Sequence, residues 1–343
     1  MNRTAVLLLS FTLLVVAALA CTCPAPTEPP KPATTEVPAA QPTEAPTSMP
    51  TEVPTPTGPS LGDTRTRPAD GMVMVYVPAG EFTMGSTDDE VDYALALCNE
   101  YYGDCKRERF EREQPAHTVA LDGFWIDRTE VTNAQFAAFL NEAGNQEEGN
   151  VTWLELKDGT CLIEHKGGEF RPKSGYGDHP VVEVSWYGAA AYCEWVGARL
   201  PTEAQWEYAA RGPEGHIFPW GDELDVTRLN YCDADCDSDW ADESFDDGYA
   251  STAPVGSYPD GASWVGAFDL SGNVWEWTAD RYGEYPSGGQ ENPTGPSTGD
   301  YRVNRGGGWY NSWSNLRAAY RTGGHPVDRL DLVGFRCAGP PGE

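Results

Sequence analysis

The nine cysteines, at 21, 23, 98, 105, 161, 193, 232, 236 and 337, offer this chain its most reactive chemistry. As thiolates they would be nucleophiles or soft-metal ligands, and as disulfides they would staple an exported chain. The five histidines, at 117, 165, 179, 216 and 325, lack the close spacing of a zinc or iron site and read as structural. Asp233-x-Asp235-x-Asp237 starts as a calcium loop would. Ser238 then stands at the glycine position and Ser244 at the bidentate-glutamate position, so a solvated acidic loop is the better reading. The glycines after Arg305 are not a phosphate loop, because no Gly-Lys-Ser/Thr follows and no helix pattern opens there. Arg317 and Arg321, in Arg-x-x-x-Arg spacing, are read as bracing acidic loops, with substrate binding as the alternative. The 12 Trp and 16 Tyr could line a glycan or peptide groove or fill a core.

These groups must be held by a loop-rich scaffold. The 343 residues include 37 Gly and 28 Pro, which argues against a helical bundle. The 53 acidic residues against 23 basic give a net charge of −30 and exclude a simple electrostatic nucleic-acid binder. Arg3, the apolar run Ala5 to Ala20 and the small residues Ala18 and Ala20 read as a signal peptide over 1–20. Cys21 follows the cleavage point, as the acylated cysteine of a bacterial lipobox does, although Ala18 stands where Leu is usual. Cleavage without acylation would leave a soluble N-terminus; lipid on Cys21 is the reading that explains a cysteine there. Residues 24–60 hold 12 Pro among Thr, Glu and Ala, so 21–70 is expected to be a disordered tether on a bacterial membrane or surface.

The folded domain is expected over 71–339. Alternation predicts strands over 72–77, 82–86 and 121–127. Thr132 caps a helix that stops near Gly144, Ser185 caps a second, and Thr202 with Gln205 forms a capping box opening a third that ends at Gly212. Beyond Gly212 no helical period is found. The class is α+β with few helices and low regular secondary structure.

Several segments then line up with one family: Met74 to Ser86, Glu130 to Phe136, Pro180 to Trp186, Arg199 to Gly212, Phe218 to Gly221, Leu270 to Trp277, Arg305 to Trp309 and Gly334 to Arg336. In that order they resemble the formylglycine-generating enzyme, or sulfatase-modifying factor, domain. The resemblance implies a single C-type-lectin-like domain. It implies a disulfide between Cys193 and Cys337; apart from the resemblance, Cys98 with Cys105 and Cys232 with Cys236 are weaker local candidates, and Cys23 and Cys161 are left without an assigned partner. It implies structural Ca2+ at Asn230, the Tyr231 carbonyl, Asp247 and the Tyr249 carbonyl, and at Asp269, Gly272, Val274 and Glu276. Asp247 and Glu276 are the principal expected carboxylates.

Members that make formylglycine oxidise a peptide cysteine at a pair of active-site thiolates holding Cu(I), a soft-ligand site. This chain departs from them at that point. Asn311 stands in place of the first cysteine, Gly308 replaces a serine, and the stretch bearing the second cysteine is shortened. Copper is therefore not expected, and Gly308, Trp309, Asn311 and Trp313 become cleft positions without a thiolate. A distant cysteine would enter only if a loop such as 98–105 folded over the segment. The expectation is a binding or adaptor module for a peptide, glycan or protein ligand. The alternative is an oxidoreductase of the same family with an altered metal centre.

Overall fold

The computed structural model describes residues 58–340. The signal peptide, Cys21, Cys23 and the tether up to residue 57 lie outside the described residues.

In chain order the first elements are β1 (Thr64–Thr66), β2 (Val73–Val77), β3 (Gly80–Met84), α1 (Asp88–Tyr102), β4 (His117–Leu121), β5 (Phe124–Asp127) and α2 (Asn133–Ala143). Two small hairpins follow, β6 (Glu147–Glu148) with β7 (Val151–Thr152) and β8 (Ile163–Lys166) with β9 (Glu169–Pro172). After α3 (Trp186–Trp195) and α4 (Glu203–Arg211) come β10 (Trp275–Arg281), β11 (Gln290–Glu291), β12 (Arg302–Arg305), β13 (Arg321–Gly324), β14 (Val333–Gly334) and β15 (Ala338–Gly339). One sheet runs β1-β2-β5-β15, a second β13-β12-β10-β14 and a third β11-β4-β3.

The caps read from the sequence are in place. Thr132 and Thr202 each accept from the backbone three residues on, with Gln135 and Gln205 reaching back, and Ser185 accepts from the Gly188 N–H. Two expectations change. The stretch 121–127 is not one strand, because Asp122 and Gly123 turn the chain between β4 and β5. The ordered domain also begins before residue 71. β1 pairs with β2, and Arg67 is buried in ion pairs with Asp70 and Asp127 at 2.6 and 2.7 Å. Three residues carry too little pattern to be read as a strand, and β1 is identified by its pairing with β2.

Aromatic side chains of α2 and α3, among them Phe136, Phe139 and Tyr192, form one apolar core with Phe335. Trp275 and Trp277 belong to that core. The Cys193–Cys337 disulfide, with sulfurs 2.02 Å apart, ties α3 to the C-terminal strands within it. A second core lies between β2 to β5 and α4, around Phe82, Ile126 and Trp206. A third, small cluster of Leu229, Tyr231 and Leu316 underlies the segment after β12, with Trp313 packed on it.

Candidate functional site

The segment 306–320 is a loop pinned at both ends. Arg305, at the end of β12, is buried against Glu207 and donates to the carbonyls of Ala318, Ala319 and Tyr320. Gly307, at φ +73°, makes the turn. A Cβ there would lie 2.6 Å from Leu316 Cδ2 and 2.9 Å from the Asn315 carbonyl, so only glycine fits. Arg317 and Arg321 do not face solvent. Arg317 grips Glu113 at 2.9 and 2.6 Å, and Arg321 grips Glu203 at 2.6 and 2.8 Å.

Asn311 closes the loop. Its amide oxygen accepts the Gly308 N–H at 2.9 Å, its own N–H donates to the Gly308 carbonyl at 2.9 Å, and its carbonyl accepts the Cys232 N–H at 3.2 Å. The segment 98–105 does fold against this stretch, with Tyr101 edge-on to Trp313, but neither of its cysteines bonds to Asn311. Cys232 does so instead, but it is disulfide-bonded to Cys236, as Cys98 is to Cys105. The remaining described cysteine, Cys161, is buried and burial pushes its thiol up to about 11. Among the described residues the cleft segment therefore carries no thiolate. An amide oxygen already taken by a turn N–H is no substitute as a Cu(I) ligand, so the donor set does not fit copper.

The segment instead presents rings. Trp313 stands edge-on to Tyr101 with centroids 5.0 Å apart. Tyr101 contacts Tyr102 and Trp240 at 5.1 and 6.1 Å, Trp240 contacts Tyr310 at 5.0 Å, and Tyr310 contacts Trp309 at 5.4 Å. Their frame is polar. The Tyr101 hydroxyl donates to the Cys232 carbonyl at 2.9 Å and the Trp309 indole N–H to the Asp331 carbonyl at 3.1 Å. Tyr102 and Tyr310 remain 38% and 37% exposed, more than a core role requires. Trp309 also lines a cavity of about 370 Å³ with Thr160, Lys173, Tyr176, Thr252 and Asp331. Beside it Glu183 sits in the left-handed region at φ 58°, and burial pushes its carboxyl up to about 7.

The sequence matches the sulfatase-modifying factor enzyme 1-like domain over residues 60–340. The chain belongs to that family. Its α+β, C-type-lectin-like fold with few helices is the family's own. It is 37% identical over 271 residues to serine/threonine-protein kinase Pkn1 of Chlamydia trachomatis, covering 77% of this chain but only 38% of the kinase. It is also 37% identical over 308 residues to the formylglycine-generating enzyme of Streptomyces coelicolor, covering 79% of this chain and 90% of that one. The structure of PvdO from Pseudomonas aeruginosa aligns with TM-score 0.61 at 28% identity, over 82% of this chain and 99% of its own.

The sulfatase-modifying-factor positions expected to hold Ca2+ are only partly assembled as two separate sites. Asn230 packs directly on the second set: its carbonyl accepts the Asn273 N–H at 2.9 Å, and a Cβ on Gly272 would lie 2.3 Å from that same oxygen. The Asn230 amide oxygen is buried without a protein partner, and so is Glu130 Oε2, on a carboxyl that donation from Asn273 Nδ2 reaches at 3.0 Å. Burial and the nearby Asp269 push Glu130 well above the usual carboxylate range. Asp247 accepts from the Tyr249 N–H and the Tyr258 hydroxyl, and burial pushes it up to about 6. The Tyr231 carbonyl accepts the Asp233 N–H at 3.0 Å. Val274 lies at the entry to β10. Glu276 corrects the expectation. Both its oxygens are bound by Arg336 at 2.7 Å, and the Trp206 indole adds a bond at 2.8 Å, so this carboxylate is not a free ligand. Among the described residues no three His, Cys, Asp or Glu side chains converge as a metal cluster. The unpartnered buried amide and carboxyl oxygens do suit a hard cation.

Sequence reasoning missed Tyr101, Tyr102 and Trp240 as site residues. Two of them ride on α1, a helix it did not find. The available signal was Thr87-Asp-Asp-Glu90, a capping box followed by Val91, Ala94, Leu97 and Cys98, all buried.

Proposed function

We propose that the protein is an exported, lipid-anchored member of the sulfatase-modifying-factor family that works as a binding module, with Gly308, Trp309, Asn311 and Trp313 at the centre of its recognition surface. The observation that carries this reading is the bonding of Asn311. The residue in the place of the first catalytic cysteine holds the turn shut, while the surrounding rings are left accessible. Formylglycine generation, the activity in the name of the Streptomyces relative, requires a thiolate pair that the segment lacks. Nothing of the kinase activity named for the chlamydial relative is carried over from a match to 38% of its length.

One observation favours the oxidoreductase alternative, namely Cys232–Cys236 beside Asn311. On reduction it would supply two thiols. Their setting opposes reactivity, because Asp233, Asp235 and Asp237 alternate with them in sequence, and nearby carboxylates raise a thiol's pKa. Titration with Cu(I) against a chromophoric chelator, before and after reduction, tests the proposal. The expected result is no stoichiometric site in either form; one Cu(I) per protein that is lost in Cys232→Ser overturns it.

Structural Ca2+ is proposed as well, held by oxygens around Asn230 and Asp269 and at Asp247, with Glu276 excluded as a side-chain ligand. Binding to the folded state alone stabilises by RT ln(1 + [L]/Kd), ~2.7 kcal/mol at a hundredfold excess over Kd. Millimolar Ca2+ should therefore raise the thermal midpoint by several degrees over chelator. Equal midpoints, with no calcium by elemental analysis, contradict this.

A further inference from the structure

We infer that the aromatic face takes an extended polypeptide segment rich in arginine or lysine. This rests on the recognition reading above and adds the chemistry of the ligand. Three observations point to it.

The first is the shape of the face. Trp313, Tyr101, Tyr102, Trp240, Tyr310 and Trp309 form a continuous chain of rings with neighbouring centroids 5.0 to 6.1 Å apart. Alternate side chains on one face of an extended peptide are ~6.6 Å apart, so successive side chains of a docked strand can each meet a ring.

The second is charge. Residues 231–247 contain eight acidic residues and no lysine, arginine or histidine. Asp235, Asp237, Asp239 and Glu243 are exposed around Trp240 in that same segment. Ring faces carry negative quadrupole, and carboxylates beside them deepen the attraction for a cation, whereas a neutral sugar gains nothing from those charges.

The third is that the protein already seats a guanidinium on one ring of the face. Arg109 stands 5.9 Å from the Tyr102 centroid and donates to the Asn315 side-chain oxygen at 3.0 Å. Among the described residues no cation sits over Trp240, the ring next to Tyr102, or over Tyr310 beyond it.

Fluorescence anisotropy with the full chain and four labelled nine-residue peptides, alternating serine with arginine, lysine, glutamine or glutamate, tests this at low and high salt. Maltohexaose serves as a neutral-sugar competitor. The arginine and lysine peptides should bind, and the glutamine and glutamate peptides should not. Trp240→Ala should weaken binding at least tenfold, and Asp235→Asn with Asp237→Asn and Asp239→Asn should weaken it similarly and flatten the salt dependence. Trp240→Phe, which keeps a ring and guards against a folding defect, should retain most of the affinity. Failure of the arginine and lysine peptides to bind, or equal binding by Trp240→Ala, overturns the inference. Binding of the glutamine peptide, or competition by maltohexaose, that depends on Trp240 also overturns it while leaving the recognition surface standing.

Discussion

Asn311 does what a cysteine could not do as well. It supplies a neutral acceptor for the Gly308 N–H and so fixes the loop that displays Trp309 and Tyr310. Asn311→Ala should cost about 1 kcal/mol of stability in chemical denaturation, the usual net worth of one hydrogen bond. Arg317→Met should cost far more, about 3 to 5 kcal/mol, because it strands the buried Glu113 carboxylate. Asp280 gives a test of sign. Burial, with Glu203 beside it, pushes its carboxyl up to about 7. The folded state then holds the proton more tightly than the unfolded chain, where a carboxyl titrates near about 4. Its contribution is complete below that value and is lost as pH rises through about 7. Thermal midpoints should thus fall between pH 5 and 8. Asp280→Asn, which keeps an acceptor for the Glu203 N–H, should flatten that decline; an unchanged slope would clear Asp280. At this scale the sequence showed which residue occupies the position but not its bonds. The Asn311 contact to Cys232 joins residues far apart in the chain, and no local pattern encodes it.

Elements with both a cap and a periodic apolar face were legible, as α2, α3 and α4 demonstrate. α1 was not, although it carries the same kind of capping box, because its acidic and tyrosine residues dilute the apolar stripe and most of it is solvent-facing. That omission hid two of the six rings of the aromatic face, since Tyr101 and Tyr102 are its last two residues. β1 was lost for a different reason. Three residues carry too little pattern, and its identity as a strand comes from pairing with β2. Thr87→Ala should remove the α1 cap at a cost of about 1 kcal/mol. Because the C-terminal turn of α1 carries the rings, hydrogen exchange should rise along the helix and basic-peptide affinity should drop with it. Unchanged exchange at Tyr101 and Tyr102 would uncouple the cap from the site.

At the scale of the molecule, one covalent link spans most of the folded chain. Cys193 and Cys337 are 144 residues apart in sequence, and closing a loop of that length stabilises by ~5 kcal/mol on chain-entropy grounds, less any strain. Replacing both with alanine should lower the thermal midpoint sharply, whereas replacing Cys98 and Cys105, only 7 apart, should do much less. Detergent phase partitioning of the intact protein against Cys21→Ser tests the proposed anchor, with the intact form expected in the detergent phase; equal partitioning into water would contradict it. The family, the class and this long disulfide were legible because ordered motifs run along nearly the whole domain. The aromatic face was not, because it is assembled from three separate segments, α1, the acidic stretch around Trp240 and the stretch after β12. The central claim, recognition in place of thiol oxidation, is tested most directly by mass spectrometry of a Cys-x-Pro-x-Arg peptide incubated under oxygen with the reduced, copper-loaded protein. The account predicts a peptide of unchanged mass apart from simple disulfide formation. Conversion of its cysteine to an aldehyde, at a rate proportional to protein and dependent on copper, would contradict it.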